Sequence, residues 1–494
     1  MAMDALYRVV FDCLPPHAGG DDDVLRASDA ADDTDVDLAG DGEDRISGLP
    51  DRLPITDAVG TQLLSRRWSP MWKRTPLVLD DLDLLRGTGH DARAGYVSRA
   101  LIHHPGPFRS VIHLLRLPRR QPRHAARVTD RLVLVNPSVP IDLALPWDIL
   151  RCCDALQHLY LAFFTFPSTK GLGLGGCSFP ELKELVLCHT LVEPDDLARV
   201  LRASPALETL ALVASFGFPV EVCVDGQSNS RLSSLVLWHS TVEKLSLVDT
   251  ARLERVVLWN NTQFSSGEFT SVRLSGTSSL SVLGYRDLGF HRLVIGDTAI
   301  QPSGTKNHHQ ISVVPSVRVL ALRLELGDKQ HAKRLAAYLR CFPSVDTLHV
   351  ESYARENSSV KVPLSFWQKN AGAIPCVSES VRDLFFHRFR GSKSDMAFLR
   401  FFIEEAAVVQ RVIVIMSPEC QAEDVWLKIV DLGRSERASE DLDLQFISQQ
   451  SSTITFEVAS DWSVRDPFYC MDGLRVAENK TPLDKEIVEE EEDT

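Results

Sequence analysis

The chain has 494 residues, too many for one ordinary hydrophobic core, and 44% of them are hydrophobic, which places it among globular proteins of two or three structural units. Its formal net charge of −14 is concentrated: residues 21–44 hold eleven acids and one base, residues 484–494 seven acids and one base, and the body between is left near +2. This distribution gives no reason to expect a nucleic-acid partner, and ten scattered cysteines with no Cys-x-x-Cys pair mark neither a zinc site nor a disulfide framework.

From Met1 to Pro15 a weakly apolar run is broken by Asp4, Arg8 and Asp12, too short and too charged for a signal peptide. No later stretch approaches the roughly 20 apolar residues that span a bilayer. The sequence therefore predicts a soluble protein of the cytoplasm or nucleus. Residues 1–43 read as an acidic, disordered N-terminus and residues 471–494 as an acidic C-terminal tail, both with too few apolar groups to offset the entropy of ordering.

Residues 44–76 carry a string of short motifs: Asp44-Arg45-Ile46-Ser47, Leu49-Pro50-Asp51, Leu53-Pro54, Asp57-Ala58, and Leu64-Ser65-Arg66-Arg67-Trp68 followed by Trp72. Leu64, Trp68, Met71 and Trp72 fall at i, i+4, i+7 and i+8, one apolar helical face. Ser69-Pro70 suits an N-cap and the first position of a new short helix. By spacing alone the stretch fits a helical hairpin packed on its own body.

The ordered string of motifs resembles the F-box of plant F-box proteins. In that family a short amphipathic helix separates the first Leu-Pro-Asp from the second Leu-Pro, and here Asp51 is followed directly by Arg52. The omission amounts to about eight residues, roughly two helical turns. The resemblance implies a Skp1-type adaptor and a cullin complex as partners, with Ile46, Leu49, Pro50, Leu53, Pro54, Leu64, Trp68 and Trp72 as adaptor-binding residues, in a contact weakened by the missing helix.

Residues 77–375 read as a connector followed by repeats. Leu-x-x-Leu-x-Leu recurs at Leu156/Leu159/Leu161, Leu182/Leu185/Leu187, Leu207/Leu210/Leu212 and Leu232/Leu235/Leu237, an interval of 25 or 26 residues. That is the period of leucine-rich repeats. The pattern then shortens to intervals of 10 to 16 residues, at Val242/Leu245/Leu247, Leu253/Val256/Leu258, Phe269/Val272/Leu274, Leu280/Leu283/Tyr285 and Phe290/Leu293/Ile295. Ten residues leave no room for a strand plus a helix, so these coils are predicted to be strand and loop only. Longer spacers return at Val317/Leu320/Leu322 and Val345/Leu348/Val350, with helices predicted at 194–202 and 333–339. The expected fold is α/β: a short helical F-box remnant, a curved solenoid with one row of parallel strands, and a small α/β C-terminal domain.

Residues beside the inward leucines point to the concave face of such a row. There the pattern places Val186, Cys188, Ala211, Val213, Val236, Trp238, Ser246, Val248, Val257 and Trp259, then Arg273, Arg323, His349 and Glu351. Val236, Trp238, Val257 and Trp259 form a candidate target-binding patch, or, if the coils are flattened and covered, ordinary core.

Residues 376–470 change texture: strands at 381–386, 412–415, 442–446 and 453–458, and helices at 394–409 and 423–432. Phe386-His387-Arg388-Phe389-Arg390-Gly391, Phe398-Leu399-Arg400-Phe401-Phe402 and Asp461-Trp462-Ser463-Val464-Arg465-Asp466-Pro467-Phe468 resemble the FBD-like domain that follows F-box and repeats in plant families. Gly171, Gly173 and Gly176 match Gly-x-Gly-x-x-Gly by letter but lead into Phe179-Pro180, which gives a phosphate no helix N-terminus. No catalytic constellation, cofactor site or metal site is legible. The resemblance implies a non-catalytic substrate receptor of a ubiquitin ligase with an unknown protein target, or, if the shortened F-box has lost its adaptor, a repeat protein that binds targets alone.

Overall fold

The computed structural model describes residues 3–15, 77–80, 108–113, 128–136, 144–145, 154–170, 177–259, 270–301, 304–306, 311–353, 361–370, 374–420, 422–433, 436–448, 455–461, 464–469 and 475–476. The F-box-like stretch 44–76, residues 16–43, the glycines 171–176 and the acidic tail beyond 476 lie outside the described residues. The chain divides into two compact units, Met1–Leu253 with Trp259–Gly267, and Glu254–Leu258 with Glu268–Thr494.

In the first unit β1 (Leu77–Asp80), β2 (Phe108–His113), β3 (Val128–Val135), β4 (His158–Ala162), β5 (Glu184–Cys188), β6 (Thr209–Val213) and β8 (Ser234–Trp238) pair as one parallel row. The repeats stack in register, so like residues form ladders: Leu159, Leu185, Leu210 and Leu235 in one, Leu161, Leu187, Leu212 and Leu237 in the next. All eight are at most 1% exposed, which is what the spacing predicted. The helix Pro194–Arg202 follows β5, with Pro194 in its first turn, Asp195 and Asp196 at its positive end and Arg202 at its negative end.

The short coils depart from the single predicted row. After β6 the chain returns through β7 (Glu221–Asp225) and after β8 through β9 (Lys244–Val248), and these two pair with each other as a second parallel row. Leu-x-x-Leu-x-Leu at ten-residue spacing is therefore two strands of one coil, one in each row. A strand replaces the helix because ten residues suffice for it. Ser246, Val248 and, in the second unit, Arg273 lie in second-row strands and are not on the face assigned to them.

The second unit repeats the arrangement. β10 (Arg255–Trp259), β12 (Val282–Asp287), β16 (Val319–Leu324), β17 (Thr347–Ser352), β18 (Asp383–Phe389), β19 (Arg411–Met416) and β20 (Asp443–Ser448) run parallel, and β21 (Arg475–Val476) closes the edge antiparallel. β11 (Thr270–Ser275) and β13 (His291–Ile295) form a parallel second row, continued antiparallel by β14 (Thr298–Gln301) and β15 (Gly304–Lys306). The C-terminal α/β region continues the row of the repeats: Leu320, Leu348, Leu384, Val412 and Leu444 form one ladder across both.

Helices Lys329–Cys341, Lys393–Glu405 and Ala422–Gly433 connect these strands at or near the predicted positions. Ser392 and Asp395 start the second of them as a reciprocal capping box, and the extended Ala406 ends it before the predicted limit of 409. The predicted strand 453–458 is a helix, Phe456–Ser460. Its alternating apolar residues read as a strand, but the Thr455 hydroxyl caps the Val458 N–H and starts a turn instead. The disordered reading of residues 1–43 also fails at its start, where Met3–Phe11 is a helix. Among the described residues no helix is long and apolar enough to cross a membrane.

Because first-row and second-row leucines are equally buried, Leu235→Ala and Leu245→Ala should each cost about 2–5 kcal/mol. Urea denaturation checks this; a negligible loss for Leu245→Ala would place the second row outside the core.

Candidate target-binding face

Strand alternation puts every second side chain of the first row on the face away from the leucines. In the first unit, register builds three rungs: Arg131, His158, Glu184, Thr209 and Ser234; Val133, Tyr160, Val186, Ala211 and Val236; Val135, Ala162, Cys188, Val213 and Trp238. The first rung is polar, and two of its members pair with neighbours outside it. His158 Nδ1 meets Asp130 Oδ1 at 3.0 Å, and the Tyr160 hydroxyl donates to Glu184 at 2.6 Å. Burial, with Glu184 beside it, pushes the Tyr160 phenol far above its ordinary pKa.

The other two rungs are apolar and covered. Val186, Cys188, Ala211, Val213 and Val236 are 0% exposed and Trp238 is 5% exposed. Part of the cover is the helix Met3–Phe11 together with Cys13. Leu6, Val10 and Cys13 are buried at i, i+4 and i+7, and Tyr7 packs on Phe163 with ring centroids 5.0 Å apart. Burial is the main force raising the Cys13 pKa, and Cys188 adds to it.

β4, β5, β6 and β8 are each followed by a residue with left-handed backbone: Phe163, His189, Ala214 and His239 have φ of 62°, 44°, 49° and 50°. Their N–H groups donate to the carbonyls of Cys188, Val213, Trp238 and Trp259, which carries the ladder one residue past each strand. Hydroxyls repeat there too: Thr190 Oγ1 donates to Leu161 O at 3.1 Å and Ser240 Oγ to Leu212 O at 2.8 Å. These turns align a string of rings, Phe11, Tyr7, Phe163, His189 and Phe216, with successive centroids 5.0 to 6.3 Å apart. Phe11, Leu191, Phe216 and Phe218 are exposed, at 37–42%, along this edge. Grouped exposed apolar side chains mark interaction surfaces.

Of the sequence-predicted target residues, Val236 and Val257 are fully buried, Trp238 nearly so and Trp259 half-buried. Trp238 and Trp259 stack with centroids 5.6 Å apart and planes 23° apart, so each covers the other's face. Of the two readings that the sequence left open for these residues, their exposures fit the covered one, and the exposed aromatics sit one turn further along. Phe216-Gly217-Phe218, between two repeats, was the available signal, but it falls outside the leucine pattern. The predicted adaptor residues Ile46, Leu49, Pro50, Leu53, Pro54, Leu64, Trp68 and Trp72 lie outside the described residues.

In the second unit residues 461 and 464–469 pack on the corresponding face. Arg255 donates to the carbonyls of Asp461 at 2.6 Å and Val464 at 2.5 Å, and Arg465 pairs with Asp346 at 3.1 Å. The fully buried His349 donates through Nε2 to Asp466 at 2.8 Å, and its Nδ1 meets His387 Nε2 at 3.0 Å. Phe468 packs edge-on to Tyr285 at 5.1 Å, and Tyr469 to Phe385 at the same distance. Burial first, and His349 second, push the His387 pKa down to about 3. Burial alone would raise Asp466, but the charge and hydrogen bond of His349 hold it below the ordinary carboxylate value.

Comparison with known proteins agrees with this architecture. A family model described as "FBD-associated F-box protein At5g56370, LRR repeats" matches residues 122–350, and the FBD model matches residues 368–414. The chain is similar to a putative FBD-associated F-box protein of Arabidopsis thaliana, At5g56440, at 31% identity over 191 residues, 34% of this chain and 43% of that protein. It is also similar to the F-box/FBD/LRR-repeat protein At5g22660 of the same plant, at 46% identity over 50 residues, 8% of this chain and 11% of that one. The chain thus matches less than half the length of either relative.

The His349–His387 contact carries a pH dependence. The unfolded chain protonates His387 near its ordinary 6.5 while the native chain resists until about 3, so this group withdraws stability as pH falls below 6.5. Asp287, raised to about 6 mainly by burial, acts with the opposite sign between 3.8 and 6. The difference between parent and variant isolates the histidine: between pH 6.5 and 5 the urea stability of the parent should fall more steeply than that of His387→Gln, by at most about 1.4 kcal/mol per pH unit. Parallel curves would exclude a neutral, buried His387.

Proposed function

We propose that this chain, which carries the leucine-rich repeats and FBD domain of FBD-associated F-box proteins, is the substrate-recognition subunit of a cullin-based ubiquitin ligase. In this reading residues 44–76 bind a Skp1-type adaptor and the repeats hold a protein target so that its lysines face the ubiquitin-charged enzyme. The chain performs no chemistry of its own and works in the cytoplasm or nucleus. What supports the reading is the set of parts: F-box-like motifs at 44–76, the repeat match at 122–350 and the FBD match at 368–414, the same three parts that the name of one Arabidopsis relative carries. Proteins generally meet targets through exposed apolar clusters, and Leu191, Phe216 and Phe218 supply one.

A second reading is favoured by one observation, the direct join of Asp51 to Arg52. Without the family's first helix, about three large apolar side chains are missing from the adaptor contact, a loss of ~4–9 kcal/mol. The chain would then bind targets without delivering them to a ligase, and would compete with intact relatives. Pro54 disfavours a helical residue before it, so Asp51-Arg52-Leu53-Pro54 serves only as a tight link.

A titration of a Skp1-type adaptor distinguishes the two. The chain as it stands should bind at least about a hundredfold more weakly than a version with a family-like helix of about eight residues inserted after Asp51, on the energy scale just given. Equal, tight affinities would show that Leu64, Trp68 and Trp72 carry the interface and would leave the receptor reading whole. Failure of both versions to bind would remove it.

A further inference from the structure

The helix Met3–Phe11 lies more than sixty residues before the first strand of the rows, yet it packs back on them through Tyr7 against Phe163, the residue that follows β4. Its contacts have the form of a bound peptide. Leu6, Val10 and Cys13 are buried at i, i+4 and i+7, the anchor spacing by which an amphipathic helix lies in an apolar groove. Tyr7 packs on Phe163 and leads through Phe11 to the exposed edge. Charged Arg8 and Asp12 remain exposed. A helix of nine residues is not stable alone in water, so the face supplies the order that this segment shows.

From these observations we infer that the face at the C-terminal ends of β4 and β5 is a binding site for an amphipathic helical segment, and that residues 3–14 are its resident occupant. The partner it fits is a target segment with small or medium apolar residues at i, i+4 and i+7 and an aromatic at i+1 that reaches Phe163. Such a segment engages by replacing the resident helix. Tethering keeps the helix at high effective concentration, so a weak target is excluded and a strong one admitted. The inference deepens the target-binding role proposed above and rests on it, but it does not depend on adaptor binding.

Fluorescence polarisation with a labelled synthetic peptide of residues 1–16 tests it. The chain lacking residues 1–15 should bind this peptide saturably, and the intact chain at least about tenfold more weakly, because its own helix holds the site. A peptide carrying Tyr7→Ala and Val10→Asp should not bind either. The full chain with Val10→Asp, which lifts the helix without shortening the protein, should bind the unmodified peptide as the truncated chain does. Circular dichroism and urea unfolding accompany each variant. Folded variants that bind no peptide would overturn the inference, as would peptide binding that is equal in the intact chain. Unfolding of both the truncated and the Val10→Asp chain would also overturn it, since the helix would then be an obligatory part of the core.

Discussion

Everything in this structure depends on neighbouring coils burying one another's leucines. A single Leu-x-x-Leu-x-Leu strand presents Leu210 and Leu212 to solvent unless Leu185 and Leu187 lie on one side and Leu235 and Leu237 on the other. Each buried leucine contributes roughly 1.5–3 kcal/mol, and it does so only in register, because a slip of one residue turns every leucine to the opposite face. The features at the strand ends serve that register. The left-handed residues at 163, 189, 214 and 239 turn the chain out of each strand at the same point, and the hydroxyls of Thr190 and Ser240 fasten each turn to the preceding coil.

The same dependence explains how much could be read from the sequence. The ladders were legible because identical spacing at 156–161, 182–187, 207–212 and 232–237 has one simple explanation, and the helix 194–202 because Pro194 and the acids after it mark a helix start. The second row was not legible as such. Leu245 and Leu247 carry the same pattern as Leu235 and Leu237, and pattern reports burial without saying against which sheet. The continuation of the ladder through Leu384, Val412 and Leu444 was hidden for a different reason: Phe385, Phe386 and Ile413 make those strands apolar on both faces, so the periodicity of two disappears.

Whether the candidate face is open or covered was left undecided by the sequence for a third reason. Alternation correctly puts Val186, Val236 and Trp238 opposite the leucines, but whether that side meets water depends on segments far away in sequence. Residues 3–14 and residues 461 and 464–469 supply part of the cover in their respective units, and neither segment carries a repeat. A valine-rich rung was itself a hint. Val186, Ala211 and Val236 side by side would expose a broad apolar strip, which a folded chain tends to cover.

The two covers differ in kind, and this bears on what each can do. Lifting residues 461–469 would leave Arg255 without its two carbonyl acceptors and His349 without Asp466, and His349 is wholly buried. Breaking a buried charged contact from one side costs roughly 3–5 kcal/mol, and here several would break together. Residues 3–14 are held by apolar packing of Leu6, Val10 and Cys13 and by the ring of Tyr7, while the polar pair beneath, Tyr160 and Glu184, is already satisfied within the sheet. Departure of this helix therefore leaves apolar surface but no stranded charge among these groups. Apolar surface is indifferent to which apolar partner covers it, whereas a hydrogen-bonded charge accepts only a partner with the right groups in the right places. The C-terminal cover is thus suited to remain and the N-terminal one to be exchanged, which places the adaptable part of the face at β4 and β5, next to the exposed ring of Phe216.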